Sequence, residues 1–155
     1  MCEWGVREPW KWGSTTGATT WRATYDTRDC WQGKSGGIGV IQSIAAMKDL
    51  WAYSGVNRFN DADMMCVGIH GKGKSSSDLC ATGPGMTQDE YRTQFALWCM
   101  WSSPLTLSFD LTKPLSADDK AIITNADLIA IDQDAMGQQA EFVGQEGNIY
   151  YFMKD

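Results

Sequence analysis

Residues 21–31, WRATYDTRDCW, place Arg22, Asp26 and Asp29 where a β-strand runs out. The segment opens on Trp21, Ala23, Thr24 and Tyr25 and then turns acidic at Asp26 and Asp29. Aromatic and β-branched residues suit a pleated, half-buried surface, so the opening reads as strand. Carboxylates at a strand end sit on a rim, where several elements can converge on a ligand. Arg22 precedes Asp26 by four residues, so on an extended strand both point to the same side. A guanidinium beside a carboxylate can hold a sugar hydroxyl and deliver a proton to a glycosidic oxygen. An aspartate that only caps a turn or helix has the same sequence signature.

The same grammar recurs down the chain. FNDADM, residues 59–64, is a short apolar approach followed by Asp61 and Asp63. LTLSFD, residues 105–110, reads as another strand ending on an acid, Asp110. Between the strand ends lie helical signals. Apolar residues from Ile38 to Trp51 follow a helical period, predicting a helix over residues 38–53. Thr87 and Glu90 have capping-box spacing, and Tyr91, Phe95 and Trp98 then share one helix face. Ser116 and Asn125 are further caps, and residues 140–155 read as a hairpin turning at Glu146-Gly147-Asn148. Residues 69–85 are rich in Gly and Ser and predict a long surface loop; His70 reads there as an exposed bystander. Repeated β-then-α with acids at strand ends predicts an α/β fold with parallel strands, of the (β/α)8 barrel kind.

Composition narrows the function. The net charge is −6 and no basic stripe exists to follow a phosphate backbone, which argues against nucleic acid. No apolar run approaches the roughly 18 residues of a membrane span. There are five cysteines but no CxxC pair, and one histidine, so neither a metal site nor a cofactor motif is expected. The odd cysteine count favours reduced thiols, with a Cys66–Cys80 bridge as the alternative in an exported protein. Residues 1–10 lack the basic start and apolar run of a signal peptide, which leans the expected location to the cytoplasm. The chain has eight tryptophans. They are packing residues first, with Trp4, Trp10 and Trp12 as candidates to wall a sugar site.

Taken together, CEWG (residues 2–5), WRATYD, FNDADM, TQDEYRTQFALWCMWSSPLTLSFDL and NADLIAIDQDAMGQQ resemble glycoside hydrolase family 27, the melibiases. The likeness runs from Cys2 to about Gln139. It implies a retaining α-galactosidase acting on galactose-containing oligosaccharides or glycosides. Family neighbours acting on α-N-acetylgalactosaminides or β-L-arabinopyranosides are the alternatives, as is a non-catalytic sugar-binding half-barrel. The resemblance further implies that residues 1–137 are the second half of a (β/α)8 barrel and residues 138–155 begin an antiparallel β-sandwich. By the family motif, Asp26 is the general acid/base and Arg22 helps hold the sugar. Glu3 faces the 2-position of the sugar beside Trp4, and Asp61, Asp63 and Met64 line or buttress the pocket.

Two departures from the family pattern matter. In some animal members the cysteine at the Cys2 position is bridged to a residue just before the WR pair. Ala18 stands there in this chain, which removes that bridge. The family's nucleophile lies in a Lys-Tyr/Phe-Asp motif that this sequence does not contain. Retention uses two carboxyl groups about 5–5.5 Å apart, one attacking the anomeric carbon and one donating a proton. The expectation is that the attacking group belongs to an N-terminal half of the barrel preceding Met1, which becomes this chain's partner.

Overall fold

The computed structural model describes residues 7–33, 38–71 and 85–155. Cys2, Glu3, Trp4 and Cys80 lie outside the described residues. Helix α1 is Pro9–Trp12, with proline at its start, where the missing amide hydrogen costs no intrahelical bond. Strand β1, Thr20–Arg22, runs parallel to strand β2, Phe59–Asp61, with Trp21 opposite Asn60 and Arg22 opposite Asp61. Between them lies helix α2, Val40–Met47. This strand–helix–strand unit is the parallel α/β arrangement expected from the sequence.

Three further helices follow: α3, Gln88–Met100; α4, Ala117–Ile123; and α5, Ala126–Asp132. Each starts on the cap read from the sequence. The side chains of Thr87, Ser116 and Asn125 accept hydrogen bonds from the amides of Glu90, Asp119 and Leu128. Glu90 returns the bond to the Thr87 amide at 2.7 Å. Strands β3, Glu141–Glu146, and β4, Ile149–Met153, form an antiparallel hairpin around the anticipated turn.

Two elements differ from expectation. The helix predicted over residues 38–53 stops at Met47, and Trp51–Tyr53 is a 3-10 turn. The Met47 carbonyl accepts the Leu50 amide at 3.0 Å in a tighter turn and the buried side-chain amide of Gln139 at 2.6 Å, so a local and a tertiary bond meet at the end of α2. The strand expected at residues 105–110 survives as one parallel bridge, Met65 to Leu107. Hydroxyls replace the ladder there. Ser108 Oγ donates to the Met65 carbonyl, and Ser103 Oγ accepts from the Ala62 amide at 2.9 Å. Such side-chain bonds satisfy backbone groups that a strand would otherwise pair.

The core lies between the β1–β2 pair and helices α2 and α3. Val40, Ile44 and Met47 face inward from α2; Tyr91, Phe95 and Trp98 do so from α3. Trp21, Trp98 and Trp101 are fully buried. Behind the strand pair a polar network is sealed in. Trp21 Nε1 donates to Asn60 Oδ1 at 2.7 Å, and Asn60 Nδ2 donates to Leu50 O at 3.0 Å and Gln139 Oε1 at 2.9 Å. Buried amides of this kind stabilise only while every donor and acceptor is matched.

The cysteines correct the sequence reading. Cys30 is disulfide-bonded, while Cys66 and Cys99 are buried free thiols. A free Cys66 excludes the Cys66–Cys80 bridge, and a bonded Cys30 overturns the expectation of uniformly reduced thiols. Burial holds the Cys66 thiol up at about 12, so it stays protonated and packs as a small apolar group. His70 is likewise no bystander. Its ring is exposed, but Nε2 lies 2.7 Å from the buried Asp119 carboxylate. No helix among the described residues is long and apolar enough to cross a membrane, and none of their side chains cluster as a metal site.

Replacing Gln139 by Leu keeps the volume but takes one of two hydrogen bonds from Asn60 Nδ2 and from the Met47 carbonyl. A loss of about 1–3 kcal/mol is expected, read as a lower urea midpoint at unchanged slope. A change below about 0.5 kcal/mol would show that the network adds nothing. Asp119 gives a pH test. Burial opposes its ionisation, but hydrogen bonds from His70, Ser116 and Gln88 outweigh that and hold its carboxyl below the usual range. A depressed native value means stability that is full above the ordinary aspartate value of about 3.9 and is lost as pH falls through the native one. The stability gap between wild type and Asp119→Asn should therefore be widest above about pH 5 and close on acidification. A gap constant down to pH 2 contradicts it.

Candidate active site

The carboxyl ends of β1 and β2 lie side by side because the strands are parallel and in register. Trp21 points into the core, so Arg22, the next residue, faces the other way. Arg22 Nη2 is shared between two carboxylates, 3.0 Å from Asp26 Oδ1 and 2.8 Å from Asp63 Oδ2. The four-residue spacing from Arg22 to Asp26 thus brings the two together as the sequence suggested.

The two carboxylates differ in surroundings. Asp63 has a left-handed backbone, φ 73°, and its amide donates to Asp61 Oδ1 at 2.8 Å. Its carbonyl accepts the Trp98 indole at 2.6 Å. Its Oδ2 accepts the Thr27 amide at 2.7 Å as well as the guanidinium, and Thr27 Oγ1 donates to the Ala62 carbonyl at 3.3 Å. Asp63 is therefore locked on all sides. Asp26 is not: its side chain is 54% exposed and among the described residues touches only guanidinium groups, Arg22 and, at 3.5 Å, Arg28. Of the pair, Asp26 is the carboxyl that can meet a ligand and exchange a proton with it.

Asp61 supports the site from below. Burial pushes its carboxyl up, with the Asp63 amide hydrogen bond and the Arg22 charge opposing that and the Asp63 charge adding to it. Met64 is exposed next to Asp63. Arg22 Nε is buried with no hydrogen-bond acceptor among the described residues. Asp110 stands apart, fully exposed, its carboxylate accepting the Thr112 amide and hydroxyl and held below the usual range by those bonds. Trp10 packs on the core. Glu3 and Trp4 lie outside the described residues.

Sequence reasoning missed Thr27 and Arg28, and it read Asp29 as a strand-end acid without its partners. Arg28 follows Asp26 by two, which on extended backbone also places it on the same side, so the signal was present. Thr27 acts through its amide, which no residue type reveals.

This geometry has counterparts among known proteins. A family model described as alpha galactosidase A, Melibiase_2, matches residues 2–134. A curated alpha-galactosidase A from Cellvibrio japonicus is 35% identical over 99% of this chain and 35% of its own length. A crystal structure from Bacteroides fragilis, titled as an alpha-galactosidase/melibiase, superposes with a TM-score of 0.88 at 37% identity, covering 99% of this chain and 32% of that one. Alpha-galactosidase I from Mortierella vinacea gives a TM-score of 0.78 at 26% identity, over 93% of this chain and 36% of that one. The chain spans about a third of the length of the curated relatives it matches. The family model and these relatives match nearly the full length of the chain, and the chain belongs to the melibiases, glycoside hydrolase family 27.

Proposed function

We propose that this chain is the proton-handling half of a retaining α-galactosidase. In this reading residues 1–137 form the second half of a (β/α)8 barrel and residues 138–155 begin a β-sandwich. The nucleophile comes from the preceding half. The observation that carries the reading is the division of labour around Arg22: one carboxylate locked, the other open to solvent on the strand-end rim. Active sites of such barrels sit on that rim. The alpha-galactosidases matched over this chain supply the reaction class.

Asp26 donates its proton to the glycosidic oxygen as that bond to the anomeric carbon breaks. The partner carboxylate attacks the anomeric carbon from the other face. Asp26, now ionised, then takes a proton from water as the water displaces the enzyme carboxylate, and the anomeric configuration is retained. Arg22 keeps the Asp26 carboxyl aimed and offers a hydroxyl contact. Asp63 fixes Arg22 and the Asp26 turn together, and Met64 adds an apolar wall. Glu3, as a bulky acid near the 2-position, leaves room for a hydroxyl and not for an acetamide. Galactose-containing glycosides are therefore the substrate class.

In the longest gene product that contains this chain, Asp26→Asn should lower kcat/KM about 10²–10⁴-fold for a sugar leaving group. A dinitrophenyl galactoside, whose leaving group needs little protonation, should lose far less, and azide should restore turnover on it. Equal losses without azide rescue would leave Asp26 structural. The same protein should cleave nitrophenyl α-galactoside in strong preference to nitrophenyl α-N-acetylgalactosaminide. The reverse preference would overturn the role given to Glu3.

A further inference from the structure

Asp29 carries more hydrogen bonds than any turn requires. Its Oδ2 accepts the Gly71 amide at 2.7 Å. Its Oδ1 accepts the Met86 amide at 3.0 Å and the Tyr91 hydroxyl at 2.8 Å. Gly71 and Met86 flank residues 72–84, and Tyr91 is a fully buried residue of α3. The Tyr91 oxygen in turn accepts the His70 amide at 3.1 Å. One carboxylate thus joins three segments distant in sequence. The surroundings are shaped for it. Gly85 has φ +90°, and a Cβ there would overlap the Asp29 carboxylate and lie 2.6 Å from the Gly71 nitrogen.

The stretch from Asp26 to Asp29 is held at three points, the first a parallel bridge to Ile38, whose carbonyl takes the Arg28 amide at 2.8 Å. On the β2 side Asp63 takes the Thr27 amide at 2.7 Å. On the α3 side Asp29 takes its three donors. Asp26 begins the held stretch, and among the described residues its carboxyl meets guanidinium groups alone. The direction of its side chain therefore follows the backbone that Thr27 and Asp29 fix together with the Ile38 bridge. A carboxylate suits this task because it only accepts, and all three partners only need an acceptor. An amide in its place would turn a donor toward one of them.

We propose that Asp29 is a positioning residue: it sets the Asp26 turn by fastening it to Gly71, to Met86 and to helix α3 through Tyr91. This rests on the reading of Asp26 as the acid/base. Asp29 meets no substrate; its effect is on where the Asp26 proton is delivered. A displacement of about 1 Å of a reacting group can cost on the order of 10²-fold in rate.

The test uses Asp29→Asn, with Tyr91→Phe as a second variant that removes the α3 donor to Asp29 together with the acceptor of the His70 amide, in the longest gene product containing the chain. Two readouts are needed. Amide hydrogen exchange should speed up about tenfold or more at Gly71 and Met86, and also at Thr27, whose own acceptor is untouched. Faster exchange at Gly71 and Met86 with Thr27 unchanged would mean that Asp29 pins only the flanks of residues 72–84, and the proposal fails. In kinetics, kcat/KM should fall at least about tenfold for a sugar leaving group and less than about threefold for the dinitrophenyl galactoside. Equal losses on both would mark a general structural defect and overturn it. If Asp29→Asn does not fold, Tyr91→Phe decides by the same two signs at smaller amplitude. A wild type that shows no turnover defeats the galactosidase reading instead, and the exchange result at Thr27 still decides what Asp29 holds.

Discussion

A single guanidinium nitrogen on Arg22 lies between Asp26 and Asp63, and the surrounding structure serves that contact. Arg22 and Asp63 keep only 16% and 10% of their side-chain surface exposed. Withdrawing such charges from water costs several kcal/mol per ion, so the pair is no net source of stability. Removing one partner is another matter. It leaves an uncompensated buried charge, at about 3–5 kcal/mol. The pair is thus hard to change without loss, and what it provides is geometry. It holds one carboxylate still and presents the other to solvent.

The strands make this possible by alternation. Successive side chains on β1 and β2 point to opposite faces, so Trp21 and Asn60 face the core where Arg22 and Asp61 face the rim. The sealed amides of Asn60 and Gln139 fix the strand pair from behind. From the front, Asp63 in its left-handed conformation turns the chain so that its carboxylate returns toward Arg22 and its carbonyl toward Trp98. Strain at one residue is offset by three hydrogen bonds to that residue, the kind of compensation that functional positions require.

Much of this was legible in the residues. The Arg22–Asp26 spacing needed only the two-residue period of a strand. The caps at Thr87, Ser116 and Asn125 and the Tyr91, Phe95, Trp98 face needed only local rules, and each was found as read. What was hidden depended on distant partners. The end of α2 at Met47 is shared between a local bond from Leu50 and one from Gln139, far along the chain. The strand at residues 105–110 dissolved because Ser103 and Ser108 hydroxyls took over its bonds. His70 looked idle until α4 brought Asp119 to its ring. Asp29 carried no motif beyond a turn-like acid, because its partners are two backbone amides and a tyrosine from other segments.

The central claim is that this chain handles the proton while a carboxylate outside it attacks the sugar. Complementation tests that division most directly. The isolated chain and a separately made first half of a family 27 barrel would each be assayed alone and then mixed, with the anomer of the released galactose followed by NMR. The account predicts no turnover from either piece. The mixture should release α-galactose, and this should vanish when the chain carries Asp26→Asn. Turnover by the isolated chain would contradict the account, since both carboxylates would then have to lie within these residues.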